Sequence, residues 1–294
     1  MGNVCELLVL GHISKDINIT PESREESVGG AVVYSSIAAK RAGADIAAIT
    51  KAHPEDAAAL EVFSRYDVPI TLRPSRATTS IRNTYHTADR ERRTCEALGM
   101  AAPFEIDDLP AGMDAEIYYM GGLMKGEFPD DFVLAVAQRG RVAVDVQGFV
   151  RVNDNGAMVY RDWERKREVI PAVHYLKTDA AEAEILTGQT DREKAARRLA
   201  EWGAKEVVLT HNAEVLVWAA GQVYRAPFTP RNLSGRTGRG DTCFASYCAW
   251  RKRHSPEEAC RFAAALTSLK MEKPGPFSGT IQSVAEAIRE RYAH

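Results

Sequence analysis

No apolar run approaches the ~20 residues that cross a bilayer, so nothing in the chain reads as a membrane span. Cysteine is scarce: Cys5, Cys95, Cys243, Cys248 and Cys260 are scattered, odd in number and without a C-x-x-C pair. That excludes a disulfide framework and a structural zinc site, and it points to a reducing, cytoplasmic compartment. An excess of one charge is missing as well. With 38 basic against 40 acidic residues the formal net charge is -2, so no global basic field draws a nucleic acid. The cluster Arg90 to Arg93 is interleaved with acids and reads as solvated surface. The opening Val4 to Leu10 is broken by Glu6 and lacks the basic flank of a signal peptide. Met1-Gly2 begins like a myristoylation signal, but Glu6 stands where Ser or Thr is needed. Two nucleotide-binding strings are also absent. Gly11-His12-Ile13-Ser14 supplies no G-x-G-x-x-G after the first strand, which excludes a Rossmann dehydrogenase, and no G-x-x-x-x-G-K-[ST] marks a P-loop kinase.

What the chain does hold is ordinary globular material. Its 294 residues, 45% apolar and 27% charged, suit one large α/β unit with a small appendage. Cys5 to Leu10 and Asp45 to Thr50 read as short buried strands, as do Glu116 to Met120, Val142 to Val146, Val173 to Lys177 and Glu206 to Thr210. Helical stretches alternate with them, at Ala31 to Ala42 with Gly43 as C-terminal cap, at Pro129 to Gln138 and at Arg192 to Trp202. This alternation predicts a mostly parallel sheet covered on both faces. From about Pro69 to Pro103 the pattern changes to β-rich runs, Ile70 to Leu72 and Thr78 to His86, and Ile17 to Thr20 is similar. The insertions 12–28 and 69–103 either pair into a small sheet that covers a site as a lid, or form long surface hairpins. The last third is helical, over Asp241 to Arg253, Pro256 to Met271 and Ile281 to Arg291.

The sharpest local feature is Gly235-Arg236-Thr237-Gly238-Arg239-Gly240-Asp241-Thr242-Cys243-Phe244. Gly238 and Gly240 permit close backbone approach just before a helix, whose free amides and partial positive end make an anion site. A carboxylate at that mouth, Asp241, is expected to keep a low pKa and to accept a hydroxyl proton. The amides of Gly238, Arg239 and Gly240 are expected to stabilise charge on a transferred phosphoryl group. Read locally, the same string also fits a glycine-rich turn with Asp241 as a helix cap.

Thr237-Gly238-Arg239-Gly240-Asp241, together with Gly29-Gly30 and the strand pattern, resembles the ribokinase-like (PfkB) carbohydrate kinases over nearly the whole chain. The resemblance implies a single three-layer α/β/α domain over 1–294 with a β-sheet lid, binding ATP with Mg2+ and phosphorylating a sugar, polyol or nucleoside hydroxyl. It implies Asp241 as catalytic base and the backbone of Gly238 to Gly240 as anion hole. It also implies Asp16, Gly29 and Gly30 at the substrate, with Tyr34 beside it in place of an Asn. Asp179-Ala180-Ala181-Glu182 corresponds to an N-x-x-E motif with Asp for Asn. That puts Asp179 and Glu182 in the donor site and Glu182 near magnesium, unless Glu182 lies on an exposed helix face. Arg236 and Thr237 fall in the donor site, as do Thr210 and Asn212, whose Thr210-His211-Asn212 string replaces a glycine-containing loop. Gly235-Arg236 replaces the usual Asp-Thr opening, and Arg236 and Arg239 either contact phosphates or lie on the surface. Gly29 to Ser36, Asp145 to Gly148 and Arg82 to Tyr85 are similar to myo-inositol kinases, which makes an inositol-like polyol the expected acceptor. Arg82 or Asn83 then reaches the substrate from the lid, or either is an exposed strand residue. A homodimer through the lid is a further expectation. The altered signature also fits a catalytically weak kinase-fold protein with a binding or regulatory role.

Overall fold

The computed structural model describes residues 3–86 and 93–292. The Met1-Gly2 start, the basic cluster at 90–93 as side chains, and positions 87–92 of the expected lid lie outside these. Five strands, β1 (Asn3–Leu10), β2 (Ser14–Ile19), β3 (Arg24–Gly29), β4 (Ile46–Ala52) and β5 (Ile70–Pro74), open the chain around helices α1 (Ala31–Arg41) and α2 (Glu61–Ser64). Strands β6 (Thr79–Tyr85), β7 (Arg93–Gly99), β8 (Met113–Met120) and β9 (Arg141–Asp145) follow, with α3 (Asp130–Val136) and α4 (Gln147–Val150). Next come the hairpin β10 (Arg151–Asp154) and β11 (Ala157–Tyr160), then α5 (Lys166–Val169), β12 (Tyr175–Asp179), α6 (Ala180–Thr187) and α7 (Arg192–Glu201). The chain closes through β13 (Glu206–Thr210), β14 (Glu214–Ala219), β15 (Gln222–Pro227) and α8 (Arg239–Arg251), α9 (Pro256–Met271) and α10 (Ile281–Arg291).

Nine strands form the main sheet, in the order β15-β14-β13-β12-β9-β8-β1-β4-β5. From β13 to β5 every pairing is parallel, and only the β13-β14-β15 edge is antiparallel. Side chains that alternate along each strand feed two cores, as the pleat requires. Leu7 and Val9 join Val33, Ile37, Phe244 and Leu266 on one face. Leu8 and Leu10 join Val133, Leu186 and Leu199 on the other. The result is the expected three-layer α/β/α body. Helix starts are fixed by local chemistry: Ser255 with Glu258 and Thr280 with Ser283 form reciprocal caps at α9 and α10.

A second, six-stranded sheet runs β10-β11-β7-β6-β2-β3 and rests on a small core of Ala31, Ile81, Ala97, Leu123 and Met124. Its composition corrects the expected lid boundaries in two places. Ile70 to Leu72 pairs in parallel with β4 as the edge of the main sheet, because Ile70 and Leu72 pack onto the main core. The β10-β11 hairpin, outside both expected insertions, joins the small sheet through β7, turning at Asn155 (φ 52°) and Gly156 (φ 98°). Among the described residues no helix is long and apolar enough to cross a membrane.

Candidate active site

The carboxyl ends of β9, β12 and β13 meet the start of α8. That helix begins at Arg239, two residues earlier than its expected start, so Asp241 lies inside the first turn. Gly238 is the N-cap in the left-handed conformation (φ 76°), and any β-carbon there would run into the ring of Tyr34. Of the three amides expected to form the anion hole, that of Arg239 donates to the Arg236 carbonyl at 3.2 Å. Among the described residues the amides of Gly238 and Gly240 make no such backbone bond.

Asp241 departs from its expected low pKa. Burial pushes its carboxyl up to about 6, the nearby Asp145 adds to the rise, and Lys177 and Lys270 only partly oppose it. A helix N-terminus alone favours the anion. Here desolvation outweighs it, and the carboxylate is poised to take a proton near neutral pH.

Lys177 is the centre of the charge arrangement beneath that helix. It is 5% exposed in the middle of β12, and its Nζ lies 3.0 and 2.9 Å from the two Asp145 oxygens and 3.9 Å from Glu182 Oε2. A β-carbon on Gly240 would stand 3.4 Å from the same nitrogen, so the ammonium underlies the α8 entrance. Burial works against its charge, yet Asp145, Glu182, Asp179 and Asp241 together hold its pKa above the ordinary lysine value. Glu182 is not on an exposed helix face. It is buried, raised to about 8 mainly by that burial against the pull of Lys177. Asp179 caps α6 by accepting from the Glu182 amide at 2.8 Å, and Glu182 Oε2 accepts from the Asp179 amide at 2.8 Å.

Thr210 is buried at the end of β13, paired with Asp179. Arg239 donates to Asn212 Oδ1 at 3.1 Å and lies over the Phe228 ring at 5.9 Å. Burial and the neighbouring Arg236 guanidinium lower the Arg239 pKa, so two like charges crowd the helix start. Thr237 is exposed in the loop before Gly238.

On the opposite side stand the residues expected at the acceptor. Asp16 lies on β2, and a β-carbon on Gly29 would collide with its carboxylate, so the glycine makes room for that side chain. Gly30 caps α1 with φ 106°. The Tyr34 hydroxyl is raised by burial first, then by the charges of Asp241, Asp16 and Tyr85. In the parallel β2/β6 register Asp16 faces Ile81 and Asn18 faces Asn83, so Asn83 shares a sheet face with Asp16. Asn83 Nδ2 donates to Asn18 Oδ1 at 3.2 Å. Arg82 does not reach this side. Strand alternation turns it to the other face, where it pairs with Glu96 at 3.3 Å. Asp145 heads the Asp145 to Gly148 string, but Lys177 and Lys270 carry no motif, and their one signal in the sequence is a lysine inside an otherwise apolar strand or helix face.

Among the described residues no three acidic, histidine or cysteine side chains converge as a metal cage. Asp179 and Glu182 each spend one oxygen on the α6 cap and keep one. That fits a magnesium ion that retains its waters and completes its shell with phosphate oxygens.

Ligands of open α/β sheets gather beyond the carboxyl ends of the strands, which is where the α8 entrance faces Asp16. The class is the ribokinase-like α/β fold. It is shared with a pyrophosphate-dependent kinase in the ribokinase family complexed with a pyrophosphate analog and myo-inositol, at 36% identity and TM-score 0.87, covering 95% of this chain and 99% of that one. Residues 2–282 match the model of the pfkB family carbohydrate kinases, and the chain belongs to that family. A sulfate complex of a pyrophosphate-dependent kinase in the ribokinase family is 37% identical with TM-score 0.88, covering 96% and 100% of the two chains. The cytidine kinase of Thermococcus kodakarensis is 28% identical over 290 residues, 94% of this chain and 99% of that protein.

Proposed function

We propose that this chain transfers a phosphoryl group from pyrophosphate to a hydroxyl of an inositol-like cyclic polyol. The observation that carries the reading is geometric: Asp241 stands in the first turn of α8, whose N-cap Gly238 packs on the Tyr34 ring and whose Gly240 lies over the Lys177 ammonium. Asp16, Asn83 and the Gly29-Gly30 backbone hold the polyol, with the second sheet as a lid that keeps water from competing as acceptor. Asp241 takes the proton of the attacking hydroxyl while its oxygen bonds to the terminal phosphorus. The bridging P–O bond breaks, and phosphate leaves towards Lys177, Arg239 and the α8 amides. Bound Mg2+, held through Asp179 and Glu182, would neutralise phosphate charge.

The family resemblance suggested ATP. Pyrophosphate is preferred here because the Arg236 and Arg239 guanidinium groups neighbour each other at the helix start, and because two solved structures at 36% and 37% identity are of pyrophosphate-dependent kinases. The cytidine kinase similarity supports a second reading, with a nucleoside as acceptor. Five free cysteines, four of them buried, suit a reducing cytoplasm.

The test is phosphorus NMR of purified protein with magnesium, offering pyrophosphate or ATP against myo-inositol, ribose and cytidine. Inositol phosphate and free phosphate formed fastest from pyrophosphate are expected. Faster turnover with ATP overturns the donor, and preference for cytidine overturns the acceptor. A folded protein that forms no phosphate ester in any combination supports a binding protein instead.

A further inference from the structure

A buried cation holds the loop that leads into α8 from behind. Lys270, penultimate in α9, is 2% exposed. Its Nζ donates to the carbonyl of Gly235 at 2.5 Å and to that of Thr237. It lies over the Tyr34 ring at 5.2 Å, and no carboxylate pairs with it within 4 Å among the described residues. Lysine stands here on the apolar face of the helix, one turn from Leu266, where a charge is costly without a purpose. The loop is built to receive it. The Gly235 amide donates to the Met271 carbonyl at 2.8 Å, and the Lys273 carbonyl packs so close that any β-carbon at 235 would overlap it.

We propose that Lys270 is a positioning residue for phosphoryl transfer: an ammonium ion tethered to α9 and chelated by the Gly235 and Thr237 carbonyls, fixing the α8 entrance and keeping positive charge behind Asp241. The role rests on the kinase reading above. Burial lowers the Lys270 pKa to about 8, opposed by the Asp241 charge, and Lys270 in turn is among the groups that restrain Asp241. The other groups acting on Asp241 are Asp145 from β9 and Lys177 from β12; Tyr34 from α1 lies beside it. Because the carbonyl pair is permanently filled, the native protein needs no added monovalent cation there. Removing the side chain exposes two converging carbonyl oxygens, a site that suits methylammonium, ammonium or potassium.

Two variants and two readouts test this. Lys270→Ala is expected to lose kcat by about 10²-fold, the scale of removing one preorganised electrostatic contact, with acceptor KM within about threefold. Methylammonium should restore turnover saturably in Lys270→Ala but not in Lys270→Met, whose side chain fills the space. Native turnover should be the same with sodium, potassium or tetramethylammonium as the only monovalent cation. Independently of turnover, hydrogen exchange at the amides of 236–240 should quicken in Lys270→Ala and slow again with methylammonium. A folded Lys270→Ala with native kcat overturns the proposal, as does loss that no small cation repairs in either readout. If the native protein transfers no phosphoryl group, the kinase reading fails, and the exchange measurement alone judges whether Lys270 holds the entrance.

Discussion

The nine-stranded sheet is clad on both faces, with residues of α1, α8, α9 and α10 in one core and of α3, α6 and α7 in the other. The six-stranded sheet rests on five buried apolar residues and leaves Val28, Leu98 and Tyr160 exposed. Dense two-sided packing holds side chains within narrow limits, whereas a thin core opens locally at low cost. The groups proposed for chemistry, Asp145, Lys177, Asp241 and Lys270, all come from the body. Those proposed to recognise the acceptor, Asp16 and Asn83, come from the thin sheet. Precision is placed where a proton moves, and adaptability where a substrate must enter and leave.

That division is broken or upheld most sharply at Asp241. Asp241→Asn should lower kcat by about 10³-fold or more while acceptor KM changes little, because the group acts in the transition state. The matching change in the thin sheet, Asp16→Asn, should mainly raise KM. Equal effects of the two on kcat would erase the distinction. The raised pKa also sets a pH signature. Only ionised Asp241 accepts a proton, so kcat/KM should fall about tenfold per pH unit below about pH 6. For stability the sign is opposite. The folded pKa of about 6 exceeds the ordinary aspartate value of 3.8, so the Asp241 charge destabilises the fold above about pH 6, and the penalty fades as pH drops from there towards 3.8. Asp241→Asn should therefore raise Tm at pH 7.5 while abolishing turnover, which calorimetry checks.

Lys177 comes next, because it serves both packing and chemistry. Lys177→Met leaves Asp145 and Glu182 buried without their cation. Breaking a buried pair on one side costs about 3–5 kcal/mol, which urea titration should resolve, together with a fall in kcat. Lys177→Met unfolding at the native urea midpoint would show that the body tolerates charge as loosely as the thin sheet.

How much of this was legible before the structure depended on distance along the chain. Leu7 to Leu10 announced a buried strand because alternation is local, and the glycines around Asp241 announced a helix entrance for the same reason. The Asp179 to Glu182 spacing is a local capping box, and Asn155-Gly156 is a local hairpin turn. Lys177 and Lys270 acquire their roles from partners 32 and 35 residues away, Asp145 and Gly235. Nothing in the neighbouring sequence says which carboxylate or carbonyl will meet them. The pKa of Asp241 follows the same division: the helix end is local, but the burial and the Asp145 charge that outweigh it are tertiary.

The smallest expected effect separates two neighbours within the thin sheet. Asn83 and Arg82 are adjacent on β6, yet alternation sends them to opposite faces. Asn83 is 6% exposed, bonded to Asn18 and on the same face as Asp16. Arg82 is half-exposed and pairs with Glu96, an interaction worth about 0–1 kcal/mol at the surface. Asn83→Leu keeps the size but removes the amide, so it should raise acceptor KM by about 10-fold, the scale of one lost hydrogen bond, and shift preference among polyol isomers. Arg82→Ala should leave KM, kcat and isomer preference within about twofold. Steady-state kinetics on a panel of inositol isomers reads both. If Arg82→Ala changed acceptor preference while Asn83→Leu did not, the face assigned to the substrate would be the wrong one, and the thin sheet would have to close over the site the other way round.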